Sequence, residues 1–336
     1  MGNITMRDIG RMTGVSAVTV SKALAGKSGV SEEMRQKIVR LAAELGYVNP
    51  NGAQIKTALT LDVGILIPDY FFSPDSFYAL LYKELVRALT DAGHFGILEM
   101  LTAEAEAGLR LPHLLSGRHV DALVLLGQPS GAYRQMIARQ AVPVVFLDFY
   151  DTTVMADAVV GDNVYGASCL TQHLIERGHR DIGFVGNVRA TSSIMERYLG
   201  FASAMMYHNL PIRPECVIRD RDEQGTMLPL DLPEKLPTAF VCNCDAVAVW
   251  LIGQLTARGI RVPEDVSVTG YDDFLPGSAA VPRLTTFRVN RKAMVQAAVR
   301  LLMERCSGVD KPMGRVVVGG KPVYGESIKT IQPSRD

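Results

Sequence analysis

A regular alternation of strand-like and helical segments between residues 62 and 271 restricts the fold of this chain more than any other feature. Segments with helical periodicity, such as Phe77–Ala92, Tyr165–Arg177 and Asp245–Arg258, separate short apolar runs. This alternation is typical of parallel sheets with helices on both faces. Because the part of the chain after residue 60 has about 270 residues, the alternation predicts an α/β core of two Rossmann-like subdomains rather than one sheet. The predicted strands are Asp62–Ile67, Gly96–Met100, Asp121–Leu125, Pro143–Leu147, Asp157–Val160, Ile182–Val185, Thr238–Cys242 and Ser267–Tyr271.

Polar and aromatic residues follow several of these predicted strands. Open parallel sheets bind their ligands in the crevice at the carboxyl ends of the strands. We therefore expect a binding site to be built from Asp69–Phe72, Asp148–Tyr150, Cys244–Asp245 and Asp272–Asp273.

The first 48 residues have a different pattern, which predicts three short helices. Thr5 and Asp8 are spaced as a capping box, and Gly14 follows the first helix where a left-handed residue is needed. Ser16 would cap a second helix over Ala17–Ala25, and a third helix would follow after Ser31. Two helices joined by a tight turn and supported by a third predict a helix-turn-helix head.

The charge distribution favours a role for this head in binding nucleic acid. The whole chain of 336 residues has no net charge, yet residues 1–60 carry a net charge of +4 and the remainder −4. A basic module on an acidic body is expected when one end of a protein meets phosphate. The high hydrophobic content, 48%, excludes a largely disordered chain and allows two or three domains.

Other classes of protein are disfavoured by the sequence. Five cysteines at irregular spacing do not form a disulfide framework, and Cys242 and Cys244 lack the second pair that a zinc site needs, so no metal or cofactor is expected. No apolar run is long enough for a membrane span, and charged residues interrupt the N-terminal segment where a secretion signal would be apolar. These features predict a cytoplasmic protein.

The second predicted helix carries the residues suited to reading DNA. A recognition helix presents its N-terminal residues to base edges in the major groove. Short hydroxyl side chains suit phosphates, methyl groups contact thymine methyls, and Lys22 can donate to guanine or to a phosphate. The predicted DNA-facing residues of the head are Thr5, Ser16, Ala17, Val18, Thr19, Ser21 and Lys22.

Long stretches of the chain resemble the LacI/GalR family of bacterial transcriptional regulators. MRDIGRMTGVSAVTVSKAL looks like the first two helices of that family, and GVSEEMRQKIVRLAAELGYVNPN looks like its third helix and the approach to the hinge. GDNVYGASCLTQHLIERGHRDIGFVG, AFVCNCDAVAVWLIGQLTARGIRVPEDVSVTGYDD and PRLTTFRVN match further family blocks in the expected order. The resemblance implies base reading by Ala17, Val18 and Lys22 and a DNA backbone contact from Tyr47.

The resemblance also implies a domain organisation and a function. Residues 1–48 would form the helix-turn-helix domain, 49–60 the hinge, and 61–336 the effector-binding and dimerisation core. That core would contain two periplasmic-binding-protein-like subdomains, at 61–161 plus 288–318 and at 162–287 plus 319–336. The expected protein is a homodimeric repressor that binds a palindromic double-stranded DNA operator under control of a small molecule. No leucine heptad follows the final block, which favours a dimer over a tetramer.

The hinge departs from the family pattern. The family places a leucine near the end of a short hinge helix, where it acts as a wedge in the minor groove. Lys56 or Thr57 occupies that position, depending on how the hinge is aligned. A lysine can enter a narrow minor groove but cannot unstack a base step in the same way. We predict weaker kinking of the operator, with Ile55 or Leu59 as substitute wedges.

For the effector site, the resemblance points to Asp148, Arg197 and Asp272. Carboxylates and a guanidinium bind the hydroxyls of a sugar through charge-assisted hydrogen bonds. The same residues have structural alternatives, because Arg197 can pair with an acid and the aspartates can cap loops or helices. The other predicted effector residues are Tyr70, Phe77, Tyr150, Cys244 and Asp245, with Tyr78 as a further aromatic candidate.

Two positions make the predicted pocket less polar than an ordinary hexose site. The family commonly has asparagine where this chain has Cys244, and a polar residue where it has Val289. The loop from Asp69 to Ser76 is also longer and more aromatic than is typical. We expect a sugar or sugar derivative as the effector. The alternative is a regulator or activator that needs a corepressor, or responds to a non-sugar ligand such as a nucleobase.

Two further classes of protein were weighed against a regulator. An enzyme is disfavoured because the chain has no phosphate-binding loop, no nucleophile elbow and no dinucleotide fingerprint. A periplasmic solute-binding protein would share the core but would need a secretion signal in place of the head. The sequence does not decide whether the effector tightens or releases DNA binding.

Overall fold

The computed structural model describes residues 4–24, 29–45, 47, 60–73, 76–117, 119–223, 225–274 and 282–332. The chain divides into two compact units, Met1–Asp62 with Thr90–Phe95, and Val63–Leu89 with Gly96–Asp336. The helices are α1 Met6–Thr13, α2 Ala17–Leu24, α3 Glu32–Glu44, α4 Phe77–Asp91, α5 Ala103–Ala107, α6 His113–Ser116, α7 Gly131–Ala138, α8 Asn163–Glu176, α9 Ser192–Tyr207, α10 Asp245–Ala257 and α11 Arg291–Cys306. The strands are β1 Asp62–Pro68, β2 Phe95–Leu101, β3 Ala122–Leu126, β4 Val144–Leu147, β5 Asp157–Gly161, β6 Ile182–Val185, β7 Val217–Ile218, β8 Ala239–Cys242, β9 Ser267–Thr269, β10 Thr286–Arg288, β11 Arg315–Val318 and β12 Lys321–Val323.

The head consists of the three predicted helices around a small apolar core. The capping box at the start of α1 is complete, because Thr5 and Asp8 each bond the backbone N–H of the other. Gly14 ends α1 with φ 75°. α2 begins after Ser16 as predicted and is described as far as Leu24, while Ala25 lies outside the described residues. The buried core residues are Ile9, Val20, Ala23, Ile38, Ala42 and Tyr47.

A close backbone approach sets the turn between α1 and α2. The N–H of Val15 donates to the carbonyl oxygen of Gly10 at 2.9 Å. A Cβ atom on Gly10 would lie 2.6 Å from the carbonyl oxygen of Val15, closer than van der Waals contact allows. The turn therefore requires glycine at position 10.

The first sheet has six strands in the order β11-β5-β4-β3-β1-β2. The pairs from β11 to β1 are parallel. β3 and β5 are buried along their whole length, and β1 and β4 are buried after their first residue. They pack on a core that includes Tyr133, Phe146 and Phe149. Such continuous apolar runs are expected where helices cover both faces of a parallel sheet.

The second sheet has four parallel strands in the order β7-β6-β8-β9. Helices α8 and α9 pack closely, since a methyl group on Gly200 would overlap the carbonyl oxygen of Val164. β10 and β12 form a separate antiparallel pair. Between β7 and β8, the described residues 219–223 and 225–238 contain no helix.

All eight predicted strands are present, within a few residues of their predicted bounds. The last one is shorter than predicted and ends at Thr269. Four strands were missed, namely β7, β10, β11 and β12, and none of them is longer than four residues. No helix in the described part of the chain is both long enough and apolar enough to cross a membrane.

Candidate functional site

The exposed face of α2 presents several of the predicted DNA-facing residues. Val18 is 65% exposed, and Ser21 and Lys22 are exposed beside it. Ser16 accepts the N–H of Thr19 at 3.1 Å, so this serine caps the helix. Ala17 and Thr19 are half-buried, and Thr5 is engaged in the capping box of α1.

Tyr47 and two hinge residues are the other predicted DNA contacts. Tyr47 is only 6% exposed and packs in the core of the head, so most of its ring stabilises the fold. Its contact with the DNA backbone stays a prediction. The hinge candidates Ile55 and Lys56 lie outside the described residues.

A cavity of about 120 Å³ lies at the carboxyl ends of strands from both sheets. It combines aromatic walls with buried charged groups. Among the described residues, its lining is Phe71, Phe77, Tyr78, Asp148, Thr191, Ser193, Ile194, Arg197, Arg221, Asn243, Cys244 and Asp272.

Asp148 and Tyr78 form one buried pair in this cavity. The hydroxyl of Tyr78 donates to Oδ2 of Asp148 at 2.9 Å, and Asp148 is 5% exposed. Burial raises the pKa of both groups, because it disfavours their charged forms. Asp148 has φ 72°, a left-handed conformation that aspartate tolerates better than most residues.

Arg197 is the central donor of the cavity. Its Nε donates to Oδ1 of Asn163 at 3.0 Å, and its Nη1 donates to the carbonyl oxygen of Asn243 at 2.6 Å. Its guanidinium lies 4.0 Å from the centre of the Tyr271 ring. Burial alone would lower the pKa of Arg197, but nearby Asp272 and other groups hold that pKa above its ordinary value.

Asp272 completes this charged set. Its Oδ1 is ion-paired with Nη2 of Arg197 at 3.1 Å, yet among the described residues this buried oxygen has no partner with hydrogen-bond geometry. Burial raises the pKa of Asp272 to about 6, although Arg197 acts in the opposite direction. A buried acceptor without a donor is costly. The oxygen is therefore placed to accept a hydrogen bond from a ligand.

Arg221 brings a second guanidinium to the cavity. Its Nε donates to Oδ2 of Asp220 at 2.8 Å, and Asp220 also accepts the side-chain amide of Asn243. Asp220 is fully buried. The segment after the short strand β7 is thereby tied to the segment after β8, and Arg221 is held at the cavity wall.

Three predicted effector residues lie away from the cavity. Tyr70 lines a separate cavity of about 580 Å³ with Glu106 and Arg134. Its neighbour Phe71, in the same 3-10 turn after β1, lines the 120 Å³ cavity instead. Tyr150 lies beneath Arg315, whose Cζ is 4.4 Å from the ring centre.

The third is Asp245, whose carboxylate is used inside the fold. It accepts the hydroxyl of Thr286 at 2.6 Å and the N–H of Phe274 at 2.7 Å. Burial raises the pKa of Asp245 to about 8. Cys244 does line the cavity as predicted, and burial raises the pKa of its thiol to about 11. Val289, in contrast, lines a different cavity and has no place in the predicted pocket.

Sequence reasoning found Phe77, Tyr78, Asp148, Arg197, Cys244 and Asp272 but missed part of the lining. Thr191, Ser193 and Arg221 follow β6 and β7, whose carboxyl ends were not considered, and Asn243 directly follows β8. β7 has only two residues and leaves almost no pattern. β6 was predicted correctly, so the polar residues after it were a detectable signal. Phe71 lies in the expected segment Asp69–Phe72 but was not singled out, and the residues missed altogether are Thr191, Ser193, Ile194, Arg221 and Asn243.

Comparison with known families matches two parts of the chain. Residues 5–51 match bacterial regulatory proteins of the lacI family. Residues 171–328 match a periplasmic binding protein-like domain. The described residues contain no group of three or more His, Cys, Asp and Glu residues arranged to hold a metal ion.

Similar proteins extend over nearly the whole chain. The ribose operon repressor of Haemophilus influenzae is 26% identical over 98% of this chain and 99% of its own. The HTH-type transcriptional repressor PurR of Glaesserella parasuis is 29% identical over 90% of this chain and 89% of its own. These relatives are repressors, in agreement with the prediction that the chain is not an enzyme.

Solved structures have the same fold. The transcriptional regulator CelR in complex with cellobiose is 25% identical, with a TM-score of 0.68 over 97% of this chain and 100% of that chain. The lac repressor dimer bound to operator and an anti-inducer is 21% identical, with a TM-score of 0.66 over 98% of this chain and 100% of that chain. This chain therefore combines a DNA-binding domain of the lacI family of bacterial regulatory proteins with a periplasmic binding protein-like domain, and it is similar over nearly its whole length to repressors.

Proposed function

We propose that this chain is a homodimeric repressor that binds a palindromic operator and responds to a small, hydroxyl-rich molecule in the 120 Å³ cavity. The observation that carries the proposal is the buried Oδ1 of Asp272, which forms no hydrogen bond within the described part of the chain although it lies 3.1 Å from Nη2 of Arg197. A donor and an unsatisfied acceptor next to each other match the hydroxyl groups of a sugar.

The balance of charge favours a neutral ligand. Asp148 and Asp272 face two guanidiniums, those of Arg197 and Arg221, so the ionised groups lining the cavity cancel. A strongly anionic ligand would meet two carboxylates in a buried site, where like charges repel. A sugar or neutral sugar derivative avoids this cost.

The aromatic walls support one alternative ligand class. Phe71 and Phe77 offer apolar faces, and the N–H groups of a nucleobase would also satisfy Asp272. The sugar is favoured because both carboxylates accept hydrogen bonds and a polyol has many donors. A ligand screen of this chain therefore has to include nucleobases.

On the DNA side, each head would read half of a palindrome through α2. Val18 offers a methyl surface to the bases and Lys22 a cation. An effector that favours one arrangement of the core would change operator affinity about 5- to 150-fold, which corresponds to a coupling free energy of about 1–3 kcal/mol.

A thermal-shift screen of the full chain tests the effector. The ligands are neutral sugars, sugar phosphates, polyols and nucleobases. We expect a neutral sugar to raise the melting temperature, and Arg197→Ala and Asp272→Asn to abolish that shift. Arg213→Ala is the control, because it breaks an ion pair with Asp181 outside the cavity. A shift that survives both cavity variants would contradict the proposed site, and a nucleobase hit lost in them would replace the sugar.

A selection from random duplex DNA tests the operator. The full chain should enrich two inverted half-sites, and Val18→Ala should change the preferred bases without abolishing binding. Enrichment of single or direct-repeat sites would contradict the proposed palindrome. Operator affinity with and without the sugar found above then gives the sign of regulation.

A further inference from the structure

Glu196 and Arg197 are neighbours on α9, but their side chains serve different parts of the molecule. Arg197 lines the cavity, whereas Glu196 contacts Arg315 on β11 of the first sheet. Glu196 is only 6% exposed, and both of its carboxylate oxygens are bonded. Oε1 accepts from Nη1 of Arg315 at 2.5 Å, and Oε2 accepts from the side-chain amide of Asn163 at 3.0 Å.

Asn163 connects this carboxylate to the cavity. It is 1% exposed and lies at the start of α8. Its Nδ2 donates to Glu196 while its Oδ1 accepts Nε of Arg197 at 3.0 Å. A carboxylate can only accept and a guanidinium can only donate, so the two partners together fix the orientation of the amide.

Arg315 is held in turn by its surroundings on the first sheet. Its strand β11 pairs with β5, and its guanidinium lies over the ring of Tyr150 at 4.4 Å. The path Arg315–Glu196–Asn163–Arg197 thus runs from the first sheet, through α9 and α8, to the cavity. Each link is a hydrogen bond, and Glu196, Asn163 and Arg197 are buried.

We propose that Glu196 and Arg315 are positioning residues, which hold Arg197 in place through Asn163 and tie the cavity to the first sheet. We call the hydrogen-bonded path Arg315–Glu196–Asn163–Arg197 the relay. It would make the position of the Arg197 guanidinium depend on the arrangement of the two sheets. This inference deepens the proposed function, and its test needs neither DNA nor an effector.

A purely stabilising ion pair elsewhere in the core provides the matched comparison. Nε of Arg305 lies 2.6 Å from Asp157, whose side chain is as buried as that of Glu196. Asp157 lies on β5 of the first sheet and Arg305 on α11, which packs on that sheet. Asp157 also accepts the N–H of Gly314, the residue before Arg315, at 3.0 Å. Arg305→Met keeps Asp157 and this hydrogen bond, so it removes a comparable ion pair while all four residues of the relay stay unchanged.

The experiment is alkylation of Cys244 by iodoacetamide in the native full chain, followed by mass spectrometry of the peptide that contains it. Cys244 lines the same cavity as Arg197, so we expect the cavity to open and the alkylation rate to rise when the guanidinium leaves its position. We expect Arg315→Met and Glu196→Gln each to raise the rate about threefold or more. In Arg315→Lys, which keeps the positive charge, and in Arg305→Met, the alkylation rate of Cys244 should stay within about twofold of the wild-type rate.

Two outcomes would overturn the inference. A rate that does not change in Arg315→Met and Glu196→Gln would show that Arg197 does not need the relay. An equal rise in Arg305→Met would show that any loss of a buried ion pair opens the cavity. If Arg315→Met fails to fold, Glu196→Gln is compared with Arg305→Met alone.

The relay should also act in the opposite direction, because a coupling free energy is reciprocal. Arg197→Ala should raise amide hydrogen exchange in β11 about threefold relative to β3, an interior strand of the same sheet. Equal changes in both strands would indicate general destabilisation and count against the relay. Failure of the DNA or sugar experiments leaves these outcomes unaffected, so the two proposals fail separately.

Discussion

Asp272 carries an ionisable group whose protonation depends on folding. Its pKa is raised to about 6, so the folded chain binds this proton more tightly than the unfolded chain does. The group therefore favours the folded state below its unfolded pKa, and this advantage is lost as pH rises toward and beyond 6.

Asp272→Asn tests this at residue scale. The free energy of unfolding of wild type, minus that of the variant, should fall by about 1–3 kcal/mol between pH 4 and pH 7. Urea denaturation at several pH values measures it. Asp265→Asn is a control that should give a nearly constant difference across this range, because hydrogen bonds from Arg261 lower the pKa of Asp265 to about 2 and its stability effect is lost only below pH 4. A difference for Asp272→Asn that is flat across this range would contradict the raised pKa.

His179 should show the reverse dependence. Its ring nitrogens lie 2.9 Å from the hydroxyl of Thr238 and 3.2 Å from the carbonyl oxygen of Lys329, and burial lowers its pKa to about 4. Its contribution to stability is present above its ordinary pKa of 6.5 and is lost as pH falls toward 4. Relative to His179→Gln, wild type should therefore lose stability on acidification. Equal pH profiles for the two proteins would refute the depressed pKa.

At the scale of elements, the turn between α1 and α2 gives a sharp prediction. Gly10→Ala places a methyl group against the carbonyl oxygen of Val15, which should destabilise the head by about 1–3 kcal/mol. Amide exchange within residues 6–24 should rise and operator binding should fall, with the core unchanged.

A glycine-to-alanine substitution in α10 should instead raise the free energy of unfolding. Gly253 lies in the middle of that helix, and a methyl group there would meet no atom within 4 Å. Gly253→Ala should stabilise the core by about 0.5–1 kcal/mol, since glycine costs a helix conformational entropy. A loss of stability in urea denaturation would show that the exposed face of α10 is not open.

Periodicity and turn residues were sufficient to predict the long elements, because those elements bury regular apolar faces. They were not sufficient to predict where single side chains point. Tyr70 and Phe71 are adjacent, and only the geometry of one 3-10 turn decides which of them reaches the cavity. Asp245 has the residue type of a ligand-binding group, but its contacts with Thr286 and Phe274 depend on distant parts of the chain.

For the whole molecule, the division into two compact units predicts two unfolding transitions. The duplex obtained by selection should raise the midpoint of the transition reported by residues 6–24. The sugar from the screen should raise the midpoint reported by the core. Calorimetry combined with amide exchange measures both. A single transition raised equally by either ligand would show that the units unfold together.

The two cavity carboxylates have an unusual backbone conformation. Asp148 has φ 72° and Asp272 has φ 102°, and both N–H groups are bonded to neighbouring segments. Few residues other than glycine, asparagine and aspartate accept such angles. We therefore expect natural variation at these two positions to be confined to glycine, asparagine and aspartate. In related proteins that bind a different effector, we expect substitutions at lining residues without this backbone constraint, such as Phe71, Thr191 and Cys244. We expect the two aspartates to be retained.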